Sequence, residues 1–126
     1  MTRKVISTQQ APAAIGPYSQ GMATDSMLFI SGQLPINPAN GEMVDGDIGS
    51  KTRQIIKNAG AIAREAGTDL SRVVKTTIFL TDLADFQAVN TAYGAFFTET
   101  PPARSTVQVA ALPLGSNIEI EFILSM

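Results

Sequence analysis

The chain is 126 residues long, 44% hydrophobic and only 16% charged, against about 25% charge in an ordinary soluble domain. It is expected to form one domain over residues 1–126 with a single core, and some of its surface is expected to face a partner rather than water. The net charge is −2 and the nine Lys and Arg residues are scattered, so a basic nucleic-acid footprint is not expected. Cysteine and histidine are both absent. Disulfides, thiolate nucleophiles, Ser-His-Asp triads and the usual zinc and iron ligand sets are therefore excluded. Any chemistry has to come from Arg, Glu, Asp, Tyr, Ser, Thr, Asn or the backbone.

The N-terminus carries no apolar stretch of the signal-peptide kind, and no apolar run approaches the roughly 20 residues needed to cross a bilayer. No membrane association and a cytoplasmic address are expected. Residues 5–7 read as a short strand, followed by a Pro- and Gly-punctuated segment, residues 11–19, too broken for a helix. Residues 19–24 and 27–33 read as two strands joined at Asp25-Ser26, a hairpin. Residues 34–46 have loop chemistry, with Asn40-Gly41 the strongest turn signal, and are expected to form a surface loop.

Ile48, Thr52, Ile55, Ile56, Ala59, Ile62, Ala63 and Ala66 recur at three- and four-residue spacing. With Asp47 placed to cap and Gly67 placed to stop, they predict an amphipathic helix. Residues 73–80 are β-rich. Asp82 and Asp85 resemble a capping pair opening a second helix, with a stripe of Phe86, Val89, Tyr93, Phe96 and Phe97 ended by Pro101-Pro102. Residues 103–109 and 118–124 read as the last two strands. The order β-β-β-α-β-α-β-β predicts an α+β fold with both helices on one face of a sheet. On the last strand, alternation puts Ile118, Ile120, Phe122 and Leu124 on one side and Glu119, Glu121 and Ile123 on the other. That mixed second face suggests cover by partner subunits.

On residues 102–109 the same period of two puts Arg104, Thr106 and Gln108 on one side. A guanidinium projecting there can hold a planar carboxylate through two parallel hydrogen bonds; a structural ion pair with a nearby Glu is the alternative. Glu119 and Glu121 share a face, where one could orient a water while the other serves structure, although solvated glutamates fit the same pattern. A glycosidase pair is disfavoured, since Trp is absent and no aromatic sugar platform is evident. Tyr18 lies in an exposed-looking loop, and Ser31-Gly32 ends a strand where backbone amides could point at a ligand. Asn90 falls on the buried stripe of the second helix and needs a polar partner. No phosphate-binding glycine motif occurs, so nucleotide binding is not supported.

Five blocks occur together and in order: residues 11–21 (APAAIGPYSQG), 31–35 (SGQLP), 74–80 (VKTTIFL), 102–105 (PARS) and 118–121 (IEIE). Jointly they closely resemble the RidA (YjgF-type) imine deaminase family over essentially the whole chain. The resemblance implies a chorismate-mutase-like α+β fold with a six-stranded mixed sheet, a homotrimer whose sheets form an inner barrel, and three clefts between subunits. It also implies an enzyme without metal or cofactor, hydrolysing 2-imino acids such as 2-iminobutanoate and 2-iminopropanoate to 2-oxo acids and ammonia. By the same resemblance Arg104 matches the arginine that grips the substrate carboxylate, and Glu119 the acid associated with the attacking water. Tyr18, Ser31, Gly32, Asn90 and Thr106 match pocket positions. Many members carry cysteine where this chain has Thr106, so a thiol has no part in the mechanism here and the Thr106 amide is expected to bind instead.

Some members are described as regulators or ribonucleases. A 2-oxo acid binding regulator without turnover is therefore the alternative function, whereas a ribonuclease lacks His, a basic groove and stacking aromatics. Geometry adds one expectation. A simple hairpin around Leu114 would pair Arg104 near Leu124 and leave Glu119 five residues away, roughly 16 Å at about 3.3 Å per residue. Either those strands are not neighbours or the site joins different subunits.

Overall fold

The computed structural model describes residues 2–126. Six strands form one mixed sheet: β1 (Lys4–Ile6), β2 (Gly21–Ala23), β3 (Met27–Gln33), β6 (Val73–Leu80), β7 (Ala103–Gln108) and β8 (Ile118–Ser125). Their spatial order is β1-β2-β3-β8-β6-β7. The β2–β3 hairpin closes at Asp25-Ser26, as its sequence predicts, with the Thr24 amide donating to the Met27 carbonyl at 2.8 Å. Helices α1 (Ile48–Ala66) and α2 (Phe86–Gly94) cover one face and share a core with Leu28, Ile78, Leu80 and the inward side of β8.

Helix α1 follows its sequence signals at both ends. The Asp47 carboxylate accepts from the Ser50 amide at 2.8 Å, and Gly67 turns left-handed at φ 89° while Thr68 reaches back to the Ala63 carbonyl. Together these satisfy backbone groups that a helix end otherwise leaves unpaired. Ile55, Ile56, Ala59, Ile62 and Ala63 are fully buried, so the stripe read from spacing is the face that packs on the sheet. Part of that packing depends on Gly21, where a Cβ would stand 2.9 Å from Ile62 Cγ2 and 3.3 Å from Ile6 Cβ.

Three expectations need correction. Residues 34–46 are not a plain surface loop: β4 (Ile36–Asn37) and β5 (Glu42–Met43) form a two-stranded ribbon turning at Gly41. Leu34 and Ile36 are buried, because Asn58 of α1 donates to the Ile36 carbonyl at 2.8 Å and draws the segment onto the core. Asp82 caps a separate 3-10 turn (Leu83–Asp85) by accepting from Ala84, and Asp85 makes no side-chain cap. Helix α2 ends at Gly94, so Phe96 and Phe97 reach the core from beyond it, while Phe86 stays partly exposed. Of the two alternatives left open for the last two strands, the structure shows the first: they are not neighbours, since β6 lies between β8 and β7, antiparallel to the first and parallel to the second. A parallel pair needs a long crossover, and α2 is that crossover.

The second sheet face is open. It carries Phe29, Phe79, Val107 and Ile123 beside Glu119, Glu121, Lys75 and Thr77, with Phe29 and Val107 exposed. Substituting Gly21→Ala is expected to overpack the α1–sheet contact and lower stability by roughly 1–2 kcal/mol, net of the smaller unfolded-state entropy of alanine. Urea unfolding checks this, and an unchanged midpoint would mean that the contact yields freely.

Candidate active site

The residues singled out from sequence gather in two places. Tyr18, Ser31, Gly32 and Glu119 line a cleft of about 440 Å³, walled by Pro12, Ala13 and Ile15 on one side and by Leu34 and Ile36 on another. Arg104, Thr106 and Asn90 lie elsewhere, along β7 and α2.

In the cleft, a β-bulge between Ile30 and Gln33 turns the end of β3. Gly32 sits in that irregularity, and the Glu119 carboxylate lies directly against it. A Cβ on Gly32 would be 2.6 Å from Glu119 Oε2. Only glycine leaves the carboxylate that space. Ser31 is less available than its type suggests, because its hydroxyl donates to the Ser19 carbonyl at 2.6 Å; it keeps acceptor capacity and its exposed edge. Tyr18 is half-exposed, with its phenol oxygen accepting from the Ile15 amide at 3.3 Å. Among the described residues the only charged side chain lining the cleft is Glu119.

Burial in this apolar surround raises the Glu119 pKa above the ordinary carboxylate value, and the like charge of Glu121 two residues away raises it further. A carboxyl held there passes protons closer to neutral pH than a solvated glutamate does.

The second cluster is built around Arg104. Its Cζ lies 5.1 Å from the Tyr93 ring centroid and 5.5 Å from that of Phe86. Stacking on two aromatic faces holds the guanidinium in place while leaving its in-plane N–H donors free for a ligand. The structural ion pair weighed from sequence is therefore not what holds it. Tyr93 is itself fixed by a 2.8 Å hydrogen bond between its hydroxyl and that of Thr76. Burial raises its pKa, with Thr76 and the Arg104 charge opposing the rise.

Beside them Asn90 Oδ1 and Thr106 Oγ1 are buried without a hydrogen-bond partner. Leaving such atoms unmade costs about 1–3 kcal/mol each. Gln108, on the same side of the strand as Arg104, is occupied by accepting from the Leu83 amide. Sequence reasoning missed Phe86 and Tyr93 as the clamp on Arg104, having read both as core stripe; the i, i+7 aromatic spacing was visible but not its charge-holding use.

The two clusters do not meet within one chain. Arg104 is level with Thr76, and Thr76 with Phe122, three residues along β8 from Glu119. Two inter-strand steps of about 4.8 Å and three residues at about 3.3 Å give a backbone separation near 14 Å. Arg104 also faces the helices and Glu119 the open side.

Replacing Glu121 by Gln is expected to lower the Glu119 pKa, because the like charge that disfavours ionisation is gone, while burial keeps it above the ordinary value. A carboxyl-carbon NMR titration measures it, and an unmoved midpoint would refute the coupling. Gly32→Ala should leave global stability within about 1 kcal/mol, since a flexible carboxylate can move aside. It should also bring the Glu119 titration down as the group swings into water; a large drop in Tm with an unchanged Glu119 titration would contradict this.

Comparison with known proteins agrees with this architecture. The Endoribonuclease L-PSP family model matches residues 8–125. The chain is 50% identical over 121 residues to 2-iminobutanoate/2-iminopropanoate deaminase of Mus musculus, covering 96% of this chain and 90% of that protein. It is 53% identical over 125 residues to Protein DfrA of Myxococcus xanthus, covering 98% and 95%. The crystal structure of the YjgF gene product of E. coli superposes with a TM-score of 0.92 at 50% identity, over 97% of this chain and 98% of that one. A chorismate-mutase-like sheet with two helices on one face, and kinship of this degree along nearly all its length, place the chain in the RidA (YjgF) family, the one matched as Endoribonuclease L-PSP.

Proposed function

We propose that the chain is a hydrolytic deaminase of 2-imino acids, acting in the cytoplasm on 2-iminobutanoate and 2-iminopropanoate without metal or cofactor. Its site is completed between copies: Arg104 of one subunit faces the Glu119 cleft of the next. The observation that carries this reading is the division of the site. A cleft with a carboxylate and no cation cannot hold an anionic substrate well, and a clamped arginine beside two orphaned polar atoms has no ligand of its own. Each half supplies what the other lacks. The open sheet face, with Phe29 and Val107 exposed, is the surface that a trimer with an inner barrel would cover, and the low charge of the chain agrees with that.

In the joined site the Arg104 guanidinium pairs with the substrate carboxylate through two parallel hydrogen bonds. The Thr106 and Asn90 groups meet the polar atoms next to it. Glu119 takes a proton from a water as its oxygen adds to the C=N carbon, and passes that proton to the nitrogen. Glu119 then carries the carbinolamine hydroxyl proton to the amine, the C–N bond breaks, the C=O of the 2-oxo acid forms and ammonia leaves. Tyr18 closes the cleft mouth and the Ser31–Gly32 edge of β3 borders the reacting group. Imines of this kind already hydrolyse unaided, so orientation of substrate and water supplies much of the rate. Relatives named 2-iminobutanoate/2-iminopropanoate deaminase support the reaction class.

Ammonia release from imines generated in situ by an amino acid oxidase, under catalase protection, tests the reading. Arg104→Ala is expected to lose on the order of 100-fold in kcat/KM, the equivalent of about 3 kcal/mol of charge-assisted hydrogen bonding. Co-expression of Arg104→Ala with Glu119→Gln should restore part of the activity, because mixed oligomers contain sites with both residues intact. An active Arg104→Ala variant would sink the assignment, and absent complementation would sink the shared site. A wild type that binds 2-oxobutanoate without accelerating imine loss would make the cleft that of a regulator.

A further inference from the structure

The cleft wall formed by Pro12, Ala13 and Ile15 belongs to a segment without helix or strand, residues 7–20. Such a segment has no ladder of its own to hold it. One side chain takes that part. Gln20 is almost fully buried at 5% exposure, and both ends of its carboxamide are engaged. Its Oε1 accepts from the Thr8 amide at 2.7 Å, and its Nε2 donates toward the carbonyls of Thr8 at 3.0 Å, Ala11 at 3.3 Å and Pro12 at 2.7 Å. The Gln20 backbone is tied to the catalytic side as well, its carbonyl accepting from the Ser31 amide at 3.0 Å. The carboxamide thus holds the wall at Thr8, Ala11 and Pro12, while the backbone of the same residue, which a side-chain substitution leaves in place, meets the strand edge at Ser31.

We propose that Gln20 is a positioning residue that fixes the apolar wall of the cleft and so determines how large a substrate side chain is held there. This rests on the reading of the cleft as a 2-imino and 2-oxo acid site. Arg104 is placed by Phe86 and Tyr93, and Glu119 by β8 and Gly32, so neither depends on the Gln20 carboxamide. Loss of the staple leaves the carboxylate grip and the reacting carboxyl in place and loosens only the surface that a substrate's alkyl group would meet. The penalty should therefore grow with the length of that group. A general loss of folding would instead reduce all substrates alike.

The test uses the full-length protein with Gln20→Met, which keeps volume and removes both hydrogen-bonding functions, and Gln20→Glu, which keeps the acceptor for Thr8 but turns an oxygen toward three carbonyls. Calorimetric binding of two 2-oxo acids, 2-oxopropanoate and the bulkier 4-methyl-2-oxopentanoate, is compared with wild type, alongside amide exchange at Thr8. Both variants are expected to exchange Thr8 at least about tenfold faster. They should bind 2-oxopropanoate within about twofold of wild type and the bulkier acid about tenfold more weakly. Equal weakening for both acids, unchanged binding of both, or failure of both variants to fold would overturn the proposal. Binding needs no turnover. A wild type that binds the acids in this size-dependent, Gln20-dependent way yet hydrolyses no imine would overturn the enzymatic reading alone, and one that binds neither acid would overturn both.

Discussion

Everything in this molecule that bears on function depends on where β8 runs. Its inward residues Ile118, Ile120, Phe122 and Leu124 are all buried against the helices, and that side chain set can be satisfied only in the middle of the sheet. Side chains alternate along a strand, so burying that row turns Glu119 and Glu121 to the opposite face. The strand also displaces β7, and with it Arg104, two positions away. Burying one apolar row therefore separates the cation from the carboxylate more completely than any local feature of either.

The separation gives each half its own electrostatic character. Within one chain no positive side chain lines the Glu119 cleft, and burial and Glu121 both raise its pKa. Arg104 sits between aromatic rings, which attract a cation without consuming its hydrogen-bond donors. Had the two residues been neighbours in one chain, they would have neutralised each other as an ion pair, and the proton affinity of the acid and the free donors of the base would both have been lost.

Much of the fold was legible because it is written in short-range periodicity. The α1 stripe with its Asp47 and Gly67 ends, the Asp25-Ser26 hairpin and the alternation along β8 and β7 each need only neighbouring residues. Strand order does not: the spacing of Arg104 and Glu119 left open whether β7 and β8 are neighbours, and nothing in residues 103–124 says that β6 will come between them. Phe96 and Phe97 continued an apolar spacing past the point where Gly94 ends the helix, and the Pro35 and Pro38 around Ile36 read as loop while hiding a ribbon whose Ile36 is buried and held by Asn58. Of the site, the alternation placed Arg104 and Thr106 together and Glu119 with Glu121. The division into two halves, the aromatic clamp and the Gln20 staple depend on partners far away in sequence or on bare carbonyls, which leave no pattern to read.

Thr106 puts an oxygen, not a sulfur, beside Arg104, and the consequence is one of redox chemistry. Neither the cleft nor the Arg104 cluster contains a cysteine, a methionine or a histidine. Sulfur is the side-chain atom most readily taken up the oxidation ladder, and a low-pKa thiol in an active site is usually the first to go. Every heteroatom on these surfaces is instead oxygen or amide and guanidinium nitrogen. Peroxide finds nothing soft to attack there, and a soft metal ion finds nothing to seize.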